Sequence, residues 1–194
     1  MKQHLLALLL VLPLLGLGQI DLKQDLERYM AGTRELDYAI IADHMHPYVL
    51  DMMGGSKEVA IEALEKTFEA ANMMVRTPKM DITGKPFLVE SGTSQYGVVP
   101  YEAALQIKVT ADSTGETTEL MLGIFKMQNG EENVRLNDET GYIEVDLLDK
   151  YMYVFWEEGY EHWAFMEMKP NMSLILNEIM PTEVQSKIAA HVGE

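Results

Sequence analysis

Ser56-Lys57-Glu58-Val59-Ala60-Ile61-Glu62-Ala63-Leu64-Glu65-Lys66-Thr67-Phe68-Glu69-Ala70-Ala71-Asn72 is the stretch whose periodicity decides the fold. At the helical advance of about 100° per residue, Ala60, Ile61, Leu64, Phe68 and Ala71 fall on one stripe, opposite Glu58, Glu62, Glu65, Lys66 and Glu69. Ser56 reads as the N-cap, and Glu58 sits in the first turn, where negative charge is favoured. A helix with one apolar stripe needs a flat apolar partner. The sequence therefore predicts that Lys57–Asn72 lies across a β-sheet.

Upstream, Leu36–Asp51 carries two apolar arcs: Tyr38, Ile41, Ala42 and Met45, then Leu36, Ala39 and Ile40. Pro47 permits only a helix start or a kink, and Gly54-Gly55 suits a C-cap and turn. Leu36–Asn72 thus reads as one bent helical arm broken at the glycine pair. Ahead of it, Asp21–Gly32 is expected to form a short helix with Leu22, Leu26 and Tyr29-Met30 on one side.

Beyond Asn72 the period changes to two. Lys79–Glu90 is a strand candidate interrupted by Gly84 and Pro86, which places it at an edge. In Tyr96–Val109, Leu105, Ile107 and Val109 alternate with Gln106 and Lys108. A turn at Ala111–Gly115 then leads to Leu120, Leu122 and Ile124, which are expected to return as the second strand of a hairpin. Asn129-Gly130 is a turn signal, while 129–149 gives no clear assignment. Lys150–Trp156 and Tyr160–Met168 form an aromatic hairpin around Glu157-Glu158-Gly159. Leu174–Met180 is a short apolar stretch. Pro181-Thr182-Glu183 opens a last helix with Val184, Ile188 and Val192 on one side. No linker or repeat divides the chain, so 19–194 reads as one domain.

The N-terminus reads as an export signal: a weakly basic Met1–His4, an apolar run Leu5–Leu15, and small residues at Gly16-Leu17-Gly18. The run is shorter than the roughly 20 residues a spanning helix requires. We expect cleavage after Gly18, hence a periplasmic or secreted protein without stable membrane insertion. The chain has no cysteine, which excludes disulfides, thiolate nucleophiles and thiolate metal sites. Its formal charge of −16 makes nucleic acid an unfavourable partner.

The elements Tyr38, Ile41-Ala42-Asp43, His46-Pro47 and Met52-Met53-Gly54-Gly55, with the late Glu157-Glu158-Gly159 and Trp163-Ala164-Phe165 hairpin, resemble exported bacterial proteins of the nuclear transport factor 2-like (SnoaL-like) superfamily. The resemblance spans roughly Glu35–Met168. It implies an α+β cone, in which N-terminal helices pack in the concavity of a strongly curved antiparallel β-sheet with a pocket between them. Members include ketosteroid isomerase, polyketide cyclases and limonene-epoxide hydrolase, alongside non-enzymatic members that dimerise through the open sheet face. One cone serves unrelated functions, so fold alone assigns none.

Two residues stand out for chemistry. Asp43 lies on an apolar arc with His46 three residues on, the makings of a proton-transfer pair if burial raises the carboxyl pKa. Tyr38, Tyr101, Tyr153 and Tyr160 are candidate donors beside it. Against this, Asp43 could cap a turn or pair with an arginine such as Arg76. His44 and His46, two apart on a helix, point away from each other and do not make a metal site; His44 is expected in solvent and His46 as a cap near Pro47. A small apolar ligand would meet Tyr38, Phe68, Tyr101, Trp156 and Trp163. No nucleophile elbow, phosphate loop or dinucleotide fingerprint is present, and no cofactor is expected. The sequence favours a non-catalytic domain that binds a small apolar ligand or forms a homodimer. An acid/base enzyme using Asp43 and His46, or an interaction module using the aromatic hairpin, are the alternatives.

Overall fold

A computed structural model describes residues 21–170 and 172–193, without the side chain of Phe68. The export-signal reading of 1–18 lies outside the described residues. The chain runs α1 (Leu22–Glu35), α2 (Tyr38–Asp43), α3 (Pro47–Met52), α4 (Lys57–Ala70), β1 (Met73–Ile82), β2 (Phe87–Ser91), β3 (Ser94–Val109), α5 (Glu116–Asn129), a short 3-10 turn at Glu131–Asn133, β4 (Val134–Asn137), β5 (Tyr142–Trp156), β6 (Ala164–Glu167), α6 (Ser173–Ile179) and α7 (Thr182–Val192). It is an α+β protein with one six-stranded antiparallel sheet that does not close. Among the described residues no helix is long and apolar enough to cross a membrane.

Two long strands, β3 and β5, pair along most of their length from Gln95↔Trp156 to Ile107↔Ile143. β1 and β2 share the outer edge of β3. β4 and β6 share the outer edge of β5. The register shifts between Tyr101 and Ala103 on β3, opposite Leu147 to Lys150, and Asp149 there takes a positive φ of 53°. A second shift, between Arg76 and Lys79 on β1, contains Pro78, which has no N–H to give a ladder. Such bulges bend a sheet and increase its twist.

Strand alternation sends the two sides of β3 and β5 into different cores. Val99, Tyr101, Ala103, Met152 and Val154 join Leu26 and Met30 of α1, with Met121, Leu122 and Phe125 of α5 packed against them. Tyr96, Val98, Tyr153 and Phe155 face Leu176 and Ile179 of α6 and Val184 and Ile188 of α7. Helices therefore cover both faces at this end of the sheet.

Several expectations are met. Ser56 caps α4, its Oγ accepting the Val59 N–H at 3.3 Å. Gly54 and Gly55 turn the chain with φ of 122° and 85°. The aromatic hairpin forms, with Met152↔Glu167 through Phe155↔Ala164 in register.

Others are corrected. The arm is three separate helices, because Pro47 starts a new one rather than kinking the old. The element seated on the sheet from the N-terminal half is α1. Among the described side chains of α4 only Ala60 is fully buried, and the helix packs beside α2 and along β1. On α1, Leu26 and Met30 are buried in the core with Leu22 and Tyr29 packed against it, while Ile61 and Leu64 of α4 stay only partly buried. Leu120, Leu122 and Ile124 do not return as a strand; they lie on α5. Asp112 nucleates that helix, Oδ1 accepting Gly115 N–H at 3.0 Å and Oδ2 accepting both Thr118 N–H and Thr118 Oγ1–H at 2.7 Å. Spacing of two is shared by a strand face and by part of a helix face, and Met121, Leu122 and Phe125 supply the helical period. The unassigned 129–149 region holds the 3-10 turn, β4 and the start of β5.

Candidate functional site

The polar residues singled out by sequence fall into two separate clusters, and an apolar groove lies apart from both.

The first cluster ties α1, α2 and α4 to the segment before β6. Asp43 Oδ2 accepts from Arg28 Nη2 at 2.8 Å, and Oδ1 from Lys57 Nζ at 3.0 Å. Burial alone would raise this carboxyl's pKa. The Lys57 hydrogen bond and the charges of Lys57, Arg28 and His162 outweigh it and hold the group below its ordinary value. Asp43 is thus a fixed anion, and its arginine partner is Arg28 rather than Arg76.

Behind it, Asp25 is only 5% exposed and its Oδ2 accepts the Trp163 backbone N–H at 2.8 Å. Asp25 Oδ1 lies 3.3 Å from His162 Nδ1. That approach is a charge contact rather than a well-directed hydrogen bond, since His162 Nδ1 has no partner of hydrogen-bond geometry. His162 Nε2 is 3.2 Å from Arg28 Nη1.

His44, expected in solvent, is fully buried. Nδ1 lies 2.9 Å from the Trp163 carbonyl, which can only accept, so the proton sits on Nδ1 and the buried Nε2 lone pair has no partner. The ring packs on Tyr29, Phe165 and His162 at centroid distances of 5.9, 5.1 and 5.2 Å. Burial is the main force lowering its pKa. The His44 carbonyl also accepts the Phe165 N–H at 2.8 Å. The imidazole is held inward because the backbone at 163–165 offers it a polar partner within an aromatic surround.

The second cluster surrounds His46, the N-cap of α3. Its Nδ1 accepts the Tyr48 N–H at 3.1 Å, which leaves the proton on Nε2, 3.0 Å from Tyr160 Oη. Both ring nitrogens are engaged. Tyr96 Oη donates to Glu157 Oε1 at 2.8 Å. Burial first, then Glu157, raises the pKa of the Tyr96 and Tyr160 phenols, so both remain protonated donors. A shallow cleft of about 320 Å³ opens beside them, lined by His46, Tyr48, Tyr96, Glu157, Asn177 and Glu178 among others.

No hydrogen bond or ion pair joins Asp43 to His46. The residues suggested for a ligand are also dispersed. Tyr101 and Trp163 are buried in the α1-side core, with Trp156 packed against it. Tyr38 begins α2, near Glu65 and Glu69 of α4, and the Phe68 side chain lies outside the described residues. Tyr38, Tyr101, Trp156 and Trp163 line neither the cleft beside His46 nor the apolar groove. Asp25, Arg28, Tyr96 and His162 were not singled out by the sequence, and Glu157 was read only as part of the hairpin turn. Asp25 carried a signal, since it sits between Leu22 and Tyr29 on the apolar side of α1, where a carboxylate must have partners. Among the described residues no group of three or more His, Asp or Glu is placed to hold a metal ion.

The groove lies where α1 passes the end of β1. Leu22, Leu26, Met30, Ile82 and Pro86 line about 480 Å³ of open space, rimmed by Asp21, Lys23 and Glu27. That volume is within the usual range for small-molecule sites. No family model matches the chain, and no curated protein matches it either.

Proposed function

We propose that this protein is an exported, non-catalytic binding domain that takes a small, uncharged apolar molecule in the groove between α1 and the end of β1. The observation that carries the proposal is the groove itself: Leu22, Ile82 and Pro86 reach solvent at one site over a floor made by the buried Leu26 and Met30. The polar candidates for chemistry are committed elsewhere. Asp43 is neutralised by two cations, and His46 has both nitrogens occupied. The formal charge of −16 opposes a carboxylate or phosphate headgroup, which favours a neutral occupant.

The nuclear transport factor 2-like relation belongs to this proposal. The α1 helix on a sheet face bent at two bulges supports a cone with the groove at its rim, while the helices on the opposite face and the lateral position of α4 depart from it. The α6–α7 cover also argues against self-association through the sheet at that end.

A thermal melt with a series of neutral alkyl alcohols and monoglycerides tests the assignment. At a free concentration of about 100 Kd, binding stabilises the fold by about 2.7 kcal/mol, a rise of about 5–10 °C for a chain of this size. Leu22→Trp, which fills the mouth of the groove, should abolish the rise. A series in which no member shifts the melt, or in which the Leu22→Trp variant shifts equally, would contradict the proposal.

A further inference from the structure

The outer face of α5 carries an apolar stripe that the monomer leaves uncovered. Leu120 is 64% exposed and Met127 82% exposed, although Met121, Leu122 and Phe125 already satisfy the inner side of the helix. Between them sits Gly123, where a built Cβ meets nothing within 4 Å. At about 100° per residue, Leu120, Gly123 and Met127 share one line down the helix, with Ile124 on one flank and Glu119 and Lys126 together on the other. A shallow depression of about 490 Å³ follows this stripe. Among the described residues neither Glu119 nor Lys126 makes an ion pair.

We propose that α5 is the contact through which this chain associates with a second copy of itself, the two helices lying antiparallel and crossing at Gly123. The arrangement is self-complementary in shape. The missing side chain at the crossing lets the backbones approach, and Leu120 of each copy then meets Met127 of the other across the two-fold axis. It is also self-complementary in charge. In an antiparallel pair related by a two-fold axis, like flanks face each other with reversed direction. Glu119 of each copy therefore comes beside Lys126 of the other, twice. A parallel two-fold pair would set the flank with Glu119 and Lys126 against the partner's Ile124 flank and leave both charges unmatched. A single helix pair buries an area at the low end for specific interfaces, so the dimer is weak and concentration-dependent. The proposal is independent of the groove, which lies on α1.

Sedimentation equilibrium of the full chain, over a concentration series reaching about 500 µM, reads the association directly. The expected result is a reversible monomer–dimer equilibrium that Met127→Glu weakens at least tenfold. Gly123→Gln should weaken it similarly while the melting temperature holds or rises, since glycine in a helix interior is destabilising and the position is open. This separates loss of association from loss of folding. Glu119→Lys and Lys126→Glu should each weaken the dimer, and the double exchange should restore it. A chain that stays monomeric throughout, a dimer indifferent to Met127→Glu and Gly123→Gln, or a charge exchange that restores nothing would each overturn the proposal.

Discussion

Acidification from pH 7 to 5.5 should cost this fold stability through two buried imidazoles. Burial lowers the pKa of both His44 and His46. His44 faces Tyr29, Phe165, His162, Asp25 and Arg28, and its protonation would add a charge beside a guanidinium while leaving Nε2–H with no acceptor. His46 faces Tyr160, Phe155 and Glu157, and protonating Nδ1 would break the α3 cap. In the unfolded chain both titrate near pH 6.5. Below that pH the unfolded state binds protons that the folded state refuses, so stability is full above about pH 6.5 and falls as pH drops. With both rings neutral in the fold, integrating between pH 7 and 5.5 gives about 1.2 kcal/mol per histidine, or about 2.5 kcal/mol for the pair as an upper bound. The depressed Asp43 pKa acts in the same direction but below about pH 4, outside this window. Urea unfolding at half-unit pH steps measures the curve, and His44→Phe should remove about half of the slope. A stability that is flat or rises from pH 7 to 5.5, or a slope unchanged in His44→Phe, would refute the reasoning.

Three substitutions test the packing that positions the site. Gly32→Ala should destabilise by about 1–3 kcal/mol in denaturant unfolding, because the added methyl would meet Ile40 Cγ2 at 2.5 Å where α1 crosses α2. Asp25→Ala should cost about 2–4 kcal/mol, leaving the buried Trp163 N–H unpaired and removing the anion beside His162; calorimetry reads the loss. Asp112→Ala should cost about 1 kcal/mol, with fraying at the start of α5 visible in amide exchange.

Local capping chemistry was legible in the sequence because it acts over three or four residues. Ser56, His46-Pro47 and Gly54-Gly55 each did what their types dictate, and β3, the β5–β6 hairpin and α7 followed from clean periodicity. The misreadings share a physical cause, competition between segments that sequence does not rank. Both α1 and α4 offer an apolar stripe to one sheet, and it is α1 that joins the sheet's core. Leu120, Leu122 and Ile124 fit either period until Asp112 capped a helix ahead of them. At the candidate site, His44 looked polar and solvated because its partner, the Trp163 carbonyl, lies 119 residues away. Asp43 and His46 are only three residues apart but are claimed by different partners, Arg28 and Lys57 for one, Tyr48 and Tyr160 for the other. The groove could not be read at all, since Leu22 and Pro86 meet only after the sheet is built.

The most direct test of the binding assignment is NMR of the protein carrying ¹³C-methyl methionine. Met30 lines the groove, whereas Met127 lies on the exposed face of α5 and lines a different depression. Titration with a neutral medium-chain monoglyceride should shift the Met30 methyl signal, identified by its loss in Met30→Leu, in a saturable manner while Met127 stays fixed. A Met30 signal that does not move, or one that moves no more than Met127, would contradict the account.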